Sequence, residues 1–500
     1  MNKESKIKKR IILAVLTSAA VCLTAGCSGS GDSVSNDSTT EAEEKTVINV
    51  VRCVNNLASA DSEEVQKVED AINEYIGDLI GVEINLTEIG SGEYIDKCNL
   101  SLANSEINLL WTANWMGAIS CDSLVQANAV YDITELLEGT TLYDSMPESV
   151  WEASQYDGNA YFIPVYKEVA EGYDLMFRKD LADKYGWDLD SITELADIEP
   201  MLEDCLNDDT VEAPLLLQSS NVAYKFLLDQ YDWIIGEALV GVDKETNEVV
   251  NVVETEEYRE LCMLMSDWSE KGYILEGDAT KSNPTSVLYS QYWGISWWTD
   301  VPNNDEANTR YGQEVEMVHV TQNWISSSST LGSCYTIAKT STEAEAQACI
   351  EFLGLLYTDN TLADLFTYGI EGTDYDYDDD GYVVKKGELY NHSAWESCSV
   401  RSVSLEEGEP ENKVELVETF NEEGVESAAS GFRLDNTEIE AKLDACSNVY
   451  DQYGFVLENG GYTTAEVDDI LAEYQEALDE AGYQDVLDEV TRQYEEWKAA

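Results

Sequence analysis

Residues 46–53 read TVINVVRC, 65–81 VQKVEDAINEYIGDLIG, 82–89 VEINLTEI and 107–115 INLLWTANW. The first is a short β-branched run of the kind that forms a buried strand. In the second, Val65, Val68, Ile72, Tyr75 or Ile76, and Leu79 recur at helical spacing, with Gly81 in the C-cap position. Val82, Ile84 and Leu86 alternate as a second strand. Residues 94–105 predict a second helix and 107–111 a third strand. Strand, helix, strand, helix, strand is the opening of a parallel, doubly wound α/β lobe.

The texture changes further along. Residues 161–164 and 173–177 read as strands on either side of Tyr166, Lys167 and Glu168, and 179–185 begin a helix. Residues 287–298 and 332–338 are strand-like, and 342–356 form a long helix. From residue 436 the chain is mostly helical and acidic. It ends in an amphipathic run through Leu471, Tyr474, Leu478, Tyr483, Val486, Val490 and Trp497.

At roughly 150 residues per domain, 500 residues suggest about three domains. With 44% hydrophobic residues, 12 Trp and 29 Tyr, the chain can bury a large core, and the aromatic content argues against disorder. Seven Pro are too few for a Pro-rich stalk. Against 28 Lys+Arg stand 100 Asp+Glu, a formal net charge of −72. Such a field repels phosphate backbones and excludes nucleic acid as a partner.

Lys3, Lys6, Lys8, Lys9 and Arg10 precede an apolar run over residues 11–23. That run is short for a transmembrane helix and right for an export signal. It ends in Leu23-Thr24-Ala25-Gly26-Cys27, which resembles the bacterial lipoprotein processing box; Thr24 stands where an aliphatic residue is usual. The expectation is a signal over 1–26, a lipid on Cys27 and a polar tether to residue 45. That places a lipid-anchored body on the outer face of the bacterial cytoplasmic membrane. Nine cysteines follow the anchor with no CxxC pair, so buried, reduced thiols are expected rather than a disulfide framework or a zinc site.

Five further segments carry a family likeness: Leu109 to Trp115, Asp157 to Glu168, Phe177 to Leu181, FLGLLYTDNTLADLFTYGIEG from Phe352, and Gly431 to Asp435. In order and spacing the chain resembles the extracellular solute-binding lipoproteins of bacterial ABC importers, family 1. It is most similar to the subgroup named for aldouronate or oligosaccharide binding. The resemblance implies an α/β, two-lobe periplasmic-binding-protein-like fold with a hinge, an interlobe cleft and a helical C-terminal region. It places crossings near 164–173, Val318 and Gly372. The first lobe is then 46–165 plus 319–372, and the second 166–318 plus 373–500. It also implies a monomer that hands a small-molecule solute to two permease subunits and an ATPase, with no cofactor.

A sugar site needs aromatic rings for flat C–H faces and polar or charged groups for the hydroxyl edges. Trp111, Asn114 and Trp115 sit at the end of the third strand, where open α/β sheets bind ligands. Trp115 is favoured because it lies beyond the strand; either tryptophan alternatively belongs to the core. Tyr166, Lys167 and Glu168 fall at the first crossing and either face the cleft or form a surface turn. Trp293, Trp297 and Trp298 crowd one strand, where neighbours point to opposite sides, so at least one of them is left for the cleft or an interface. Trp324, Trp395 and Arg433 are further candidates. Lys167 and Arg433 are the only basic residues expected near the cleft, which favours a neutral oligosaccharide over a uronate.

Asp376, Asp378, Asp380 and Gly381 match the first positions of an EF-hand calcium loop, but the closing position holds Gly387. An acidic hairpin turn is the better reading, and no metal is expected. Nucleotide-, zinc-protease- and hydrolase-type motifs are absent, and only His319 and His392 exist, so no catalytic site is read. Other readings are a peptide or amino-sugar binder, and a cell-surface glycoside hydrolase or esterase.

Overall fold

The computed structural model describes residues 45–499, apart from 58, 218–219, 221, 276, 281–289, 300, 327–328 and 388 and the side chains of 237, 305–306 and 309–310. The signal, Cys27 and all but the last residue of the tether lie outside the described residues.

β1 (Thr46–Val54), α1 (Ser62–Ile76), β2 (Val82–Gly90), α2 (Ser91–Ala103) and β3 (Leu109–Thr112) form the βαβαβ unit. β1 lies between its neighbours and pairs in parallel with both, from Thr46↔Val82 to Val54↔Gly90 and at Val50↔Leu109. The Asp61 carboxylate accepts from the N–H groups of Glu63 and Glu64 and starts α1. The helix stops at Ile76 rather than running to Gly81. Leu79 is exposed, and Gly81, at φ +65°, turns the chain into β2. After β4 (Phe162–Pro164) the chain crosses to a second lobe.

That lobe holds a sheet of β5 (Tyr173–Arg178) and β6 (Ala213–Leu215). A three-stranded sheet follows, β7 (Tyr231–Ile235), β8 (Val240–Asp243) and β9 (Glu248–Asn251). Then β10 (Trp293–Thr299) and β11 (Val315–His319) complete the first sheet in the order β11-β5-β10-β6. The chain returns through β12 (Trp324–Ile325) to β13 (Cys334–Ile337), which enters the first sheet antiparallel to β3 and β4. Helices Glu343–Leu356 and Asn360–Tyr368 follow, the former opened by a capping box of Thr342 and Glu345. A hairpin, β14 (Tyr375–Tyr377) and β15 (Val383–Lys385), leads to helix Lys413–Glu422 and to β16 (Val425–Glu426).

The core of the first lobe contains Tyr390, Cys398, Val400 and Val417. The Val400 N–H donates to the Tyr166 carbonyl (2.8 Å) and the Tyr335 hydroxyl to the Ser397 carbonyl (2.8 Å). The stretch from 373 to about 420 thus packs with the first lobe, and the expected boundary at 372/373 is corrected. The third crossing falls at 421–427, not near Gly372. Tyr390, Cys398 and Val400 lie outside regular elements and Val417 on a short helix, so pattern alone assigns them to neither lobe. The helices from Glu440 onward bury Tyr450, Leu471, Tyr474, Leu478, Tyr483 and Val486 against Tyr258, Met265 and Trp268 in the second lobe's core.

Three crossings form the hinge. Glu171 and Trp324 exchange N–H···O bonds at 2.8 Å each, and β12 runs parallel to β16. The Asn421 side chain accepts from the N–H groups of Val169 (2.8 Å) and Ala170 (3.3 Å) and donates to the Lys167 carbonyl (3.0 Å). Gly172 has no room for a side chain: a Cβ there meets Asn323 Oδ1 at 2.6 Å and His319 Cε1 at 2.7 Å. The nine cysteines among the described residues are buried and free. No described helix is long and apolar enough to cross a membrane.

Candidate functional site

Two turns and one strand bring three tryptophans to a cavity of about 670 Å³ between the lobes. Trp115 lies beyond β3, 56% exposed, with its indole N–H donating to the Gly332 carbonyl (2.8 Å). Trp395 sits on the single 3-10 turn Ala394–Glu396. Trp298 comes from β10 of the other lobe, and its indole N–H donates to the Val301 carbonyl (3.3 Å). Val301 reaches across to pack on the first lobe's core, and Asn303 adds a polar group to the same wall.

Polar groups edge these rings. Lys167 and Glu168 pair with each other at the first crossing; Lys385 meets Glu406 at 2.7 Å, and Lys413 pairs with Glu409. Burial raises the Glu406 carboxyl above its ordinary range, against the opposing pull of Lys385. Each of these lysines is matched to a carboxylate, so the cleft carries no surplus positive charge. The lining sets Lys167, Lys385 and Lys413 against Glu168, Glu406, Glu407 and Glu409, which is not the positive surplus a uronate needs.

Several expected residues lie elsewhere. Trp111 is 1% exposed: its indole N–H donates to Ser333 Oγ (3.0 Å), and its ring meets Trp115 and Trp395 edge to face. It supports the cleft from behind rather than lining it. The Asn114 backbone N–H donates to Leu331, and the residue is outside the cavity wall. Tyr166 is buried beneath the Arg401 guanidinium, 4.5 Å from its ring centroid. Trp293 is fully buried with Met176 and Tyr311, and Trp297 packs on the second lobe's main core. Trp298 packs in the same cluster as Trp293, 4% exposed, and is the tryptophan of β10 that reaches the cavity wall. Trp324 belongs to the hinge, with the Lys244 ammonium 3.7 Å from its ring. Arg433 is at a second cavity of about 660 Å³, where it donates to the Ala153 carbonyl (2.7 Å) and lies 5.1 Å over the Tyr156 ring.

Sequence reasoning missed Lys385, Glu406, Glu409 and Lys413, although it named Trp395 of the same segment. The i,i+4 pair of Glu409 and Lys413 was the one local signal. The acidic motif is a turn: Asp378 Oδ1 accepts from the N–H groups of Asp380, Gly381 and Tyr382 at 2.7–2.9 Å. Asp376 pairs with Lys386 at 3.1 Å. Among the described residues no cluster of His, Cys, Asp and Glu is arranged to hold a metal.

The chain matches the family model described as bacterial extracellular solute-binding protein over residues 70–373. A second model, a domain of unknown function (DUF3502), matches 428–499. The chain is 24% identical over 445 residues to a carbohydrate ABC transporter substrate-binding protein of Streptococcus pneumoniae, covering 85% of this chain and 86% of that one. It shares its fold with the crystal structure of the N-glycan transport solute binding protein of the same organism: TM-score 0.76, 22% identity, 90% of this chain and 99% of that chain. That protein in complex with Man1GlcNAc gives a TM-score of 0.70 at 21% identity, covering 91% and 100%.

Proposed function

The chain belongs to the bacterial extracellular solute-binding proteins, and on that premise we propose that it captures a neutral oligosaccharide for an ABC importer while anchored by a lipid on Cys27 to the outer face of the bacterial cytoplasmic membrane. The family binds solutes, and the protein is a binder, not an enzyme. One observation carries the carbohydrate reading: Trp115 and Trp395 of one lobe face the same cavity as Trp298 of the other, ringed by charged groups. The rings match the C–H faces of sugars, and the paired lysines and glutamates their hydroxyl edges. The relatives support the same class, since the pneumococcal proteins are named for carbohydrate and N-glycan transport.

In this reading the open lobes sample solution, and the sugar fills the gap between the tryptophans. Closure about 171, 324 and 425 removes it from water. The closed form then docks on the permease. Lysines already matched to carboxylates offer an anionic sugar little net attraction.

The test is a thermal-shift screen of the chain from residue 28 against neutral oligosaccharides, uronates and peptides. A ligand at about 100-fold its Kd adds roughly 2.7 kcal/mol, a readable shift. A selective neutral sugar supports the reading. A response to peptides alone sinks the carbohydrate assignment, and consumption of a sugar during the assay sinks the binding-only reading.

A further inference from the structure

Trp395 stands on one 3-10 turn, and a turn of that length does not hold an indole in place through its own backbone. Beneath it lies a chain of charged groups that the sugar site as described does not use. Arg52 of β1 and Glu88 of β2 face each other across the parallel pair, with Nε to Oε1 at 3.2 Å. The same Glu88 oxygen meets His392 Nε2 at 3.0 Å, and His392 Nδ1 meets Glu396 Oε1 at 3.1 Å. Asn55, just past β1, donates to the other Glu396 oxygen, and Arg52 Nη1 donates to the Phe366 carbonyl at 2.8 Å. These four side chains are all within 2% of full burial. Burial alone would raise both carboxyls; their contacts with His392 and Arg52 outweigh it and hold Glu88 and Glu396 below the ordinary range.

We propose that Arg52, Glu88, His392 and Glu396 are positioning residues for the carbohydrate, acting through Trp395. His392 and Glu396 bracket the tryptophan in sequence, and both are tied to the C-terminal ends of the two strands on which the lobe is built. Asn56 Nδ2 also donates to Ser393 Oγ (3.0 Å), and Ser397 Oγ donates to the Ser393 carbonyl (2.9 Å), so the turn is fastened on both flanks. A buried ionic network has strict directional demands and is a weak source of stability. What it contributes here is a single orientation for a ring that meets Trp111 edge to face, and through Trp111 a fixed relation to Trp115. An indole held in one orientation does not spend sugar-binding energy on becoming ordered.

This inference rests on the oligosaccharide reading, and its test separates the two. In the full chain, Glu396→Gln and Glu88→Gln remove a charge and keep the shape. Hydrogen exchange of amides 390–398, measured without sugar, is expected to speed up at least about tenfold in either variant. Unchanged exchange there overturns the inference whatever the ligand proves to be. With the strongest oligosaccharide from the screen, Glu396→Gln is expected to weaken binding about tenfold. In a Trp395→Ala background the same change is expected to weaken it less than about twofold, while its loss of melting temperature persists. Additive losses, or lost stability with unaltered affinity, would leave the network a purely structural one and sink the proposal. If no sugar binds, the carbohydrate reading fails, and the exchange comparison still decides whether the network holds the Trp395 turn.

Discussion

Trp111 and Trp115 meet edge to face, ring centroids 6.1 Å apart at 69°, yet one is 1% exposed and the other 56%. Four residues of chain take the second indole out of the sheet and into the cleft. The pair separates support from contact, and substitution should separate them too. Trp115→Ala is expected to weaken oligosaccharide binding about 10- to 100-fold, or roughly 1.4–2.8 kcal/mol, with little change in melting temperature. Trp111→Ala should lower both, because a buried tryptophan costs about 3–5 kcal/mol when truncated. Calorimetry and thermal melts on the two variants decide; equal stability losses would contradict the division.

Matched charges in the cleft predict a binding reaction nearly blind to salt. Affinity for a neutral oligosaccharide should change by less than about threefold between roughly 0.05 and 0.5 M NaCl. Tight, salt-sensitive binding of a uronate that disappears in Lys167→Met would overturn the neutral-ligand reading.

Glu458 should make stability fall with rising pH. Burial raises its carboxyl to about 8 from an ordinary 4.5, although Tyr258 and Tyr450 each donate a hydrogen bond to it at 2.9 Å. The folded chain therefore holds a proton that the unfolded chain has lost. This stabilisation is complete below pH 4.5 and disappears as pH climbs through about 8. Glu458→Gln is expected to gain about 5 °C in melting temperature at alkaline pH and nothing at acidic pH. An equal gain at both ends would rule out titration as the cause.

Asn421 ties the third crossing to the first through three hydrogen bonds. Asn421→Ala leaves two backbone N–H groups without that acceptor, an expected cost of about 2 kcal/mol. The larger effect should appear in small-angle scattering, as an increased radius of gyration before sugar is added. A variant that matches the parent in both melt and scattering would show that this link does not govern the hinge.

The anchor is testable in the cell. Cys27→Ser should move the protein from the membrane fraction to the medium. Retention on the membrane would mean that something other than this lipid holds it.

Some of this was legible in the residues. Val65, Val68 and Ile72 specify the buried stripe of α1, and the alternation in 82–86 a strand, because period and burial are local properties of helix and strand. The end of β3 pointed to Trp115 for the same reason: a residue past the last ladder bond leaves the sheet. Crowding on β10 required some of its tryptophans to part, but not which of them faces the cleft. That was settled when Trp297 packed on the second lobe's core and Trp298 met Val301.

The remainder is long-range. Nothing local distinguishes Arg433 over Tyr156 from an arginine in the sugar cleft, or Tyr166 under Arg401 from a tyrosine that faces solvent. Nor does any period announce that Lys385, Trp395 and Lys413 line the cleft from the first lobe. The α/β architecture of that lobe could be read from its residues alone, since strand and helix periods are local. Which side of the hinge residues 373–420 join, and so much of the cleft wall, emerges only in three dimensions, where Tyr390, Cys398 and Val417 enter a core shared with β1, β3 and β13.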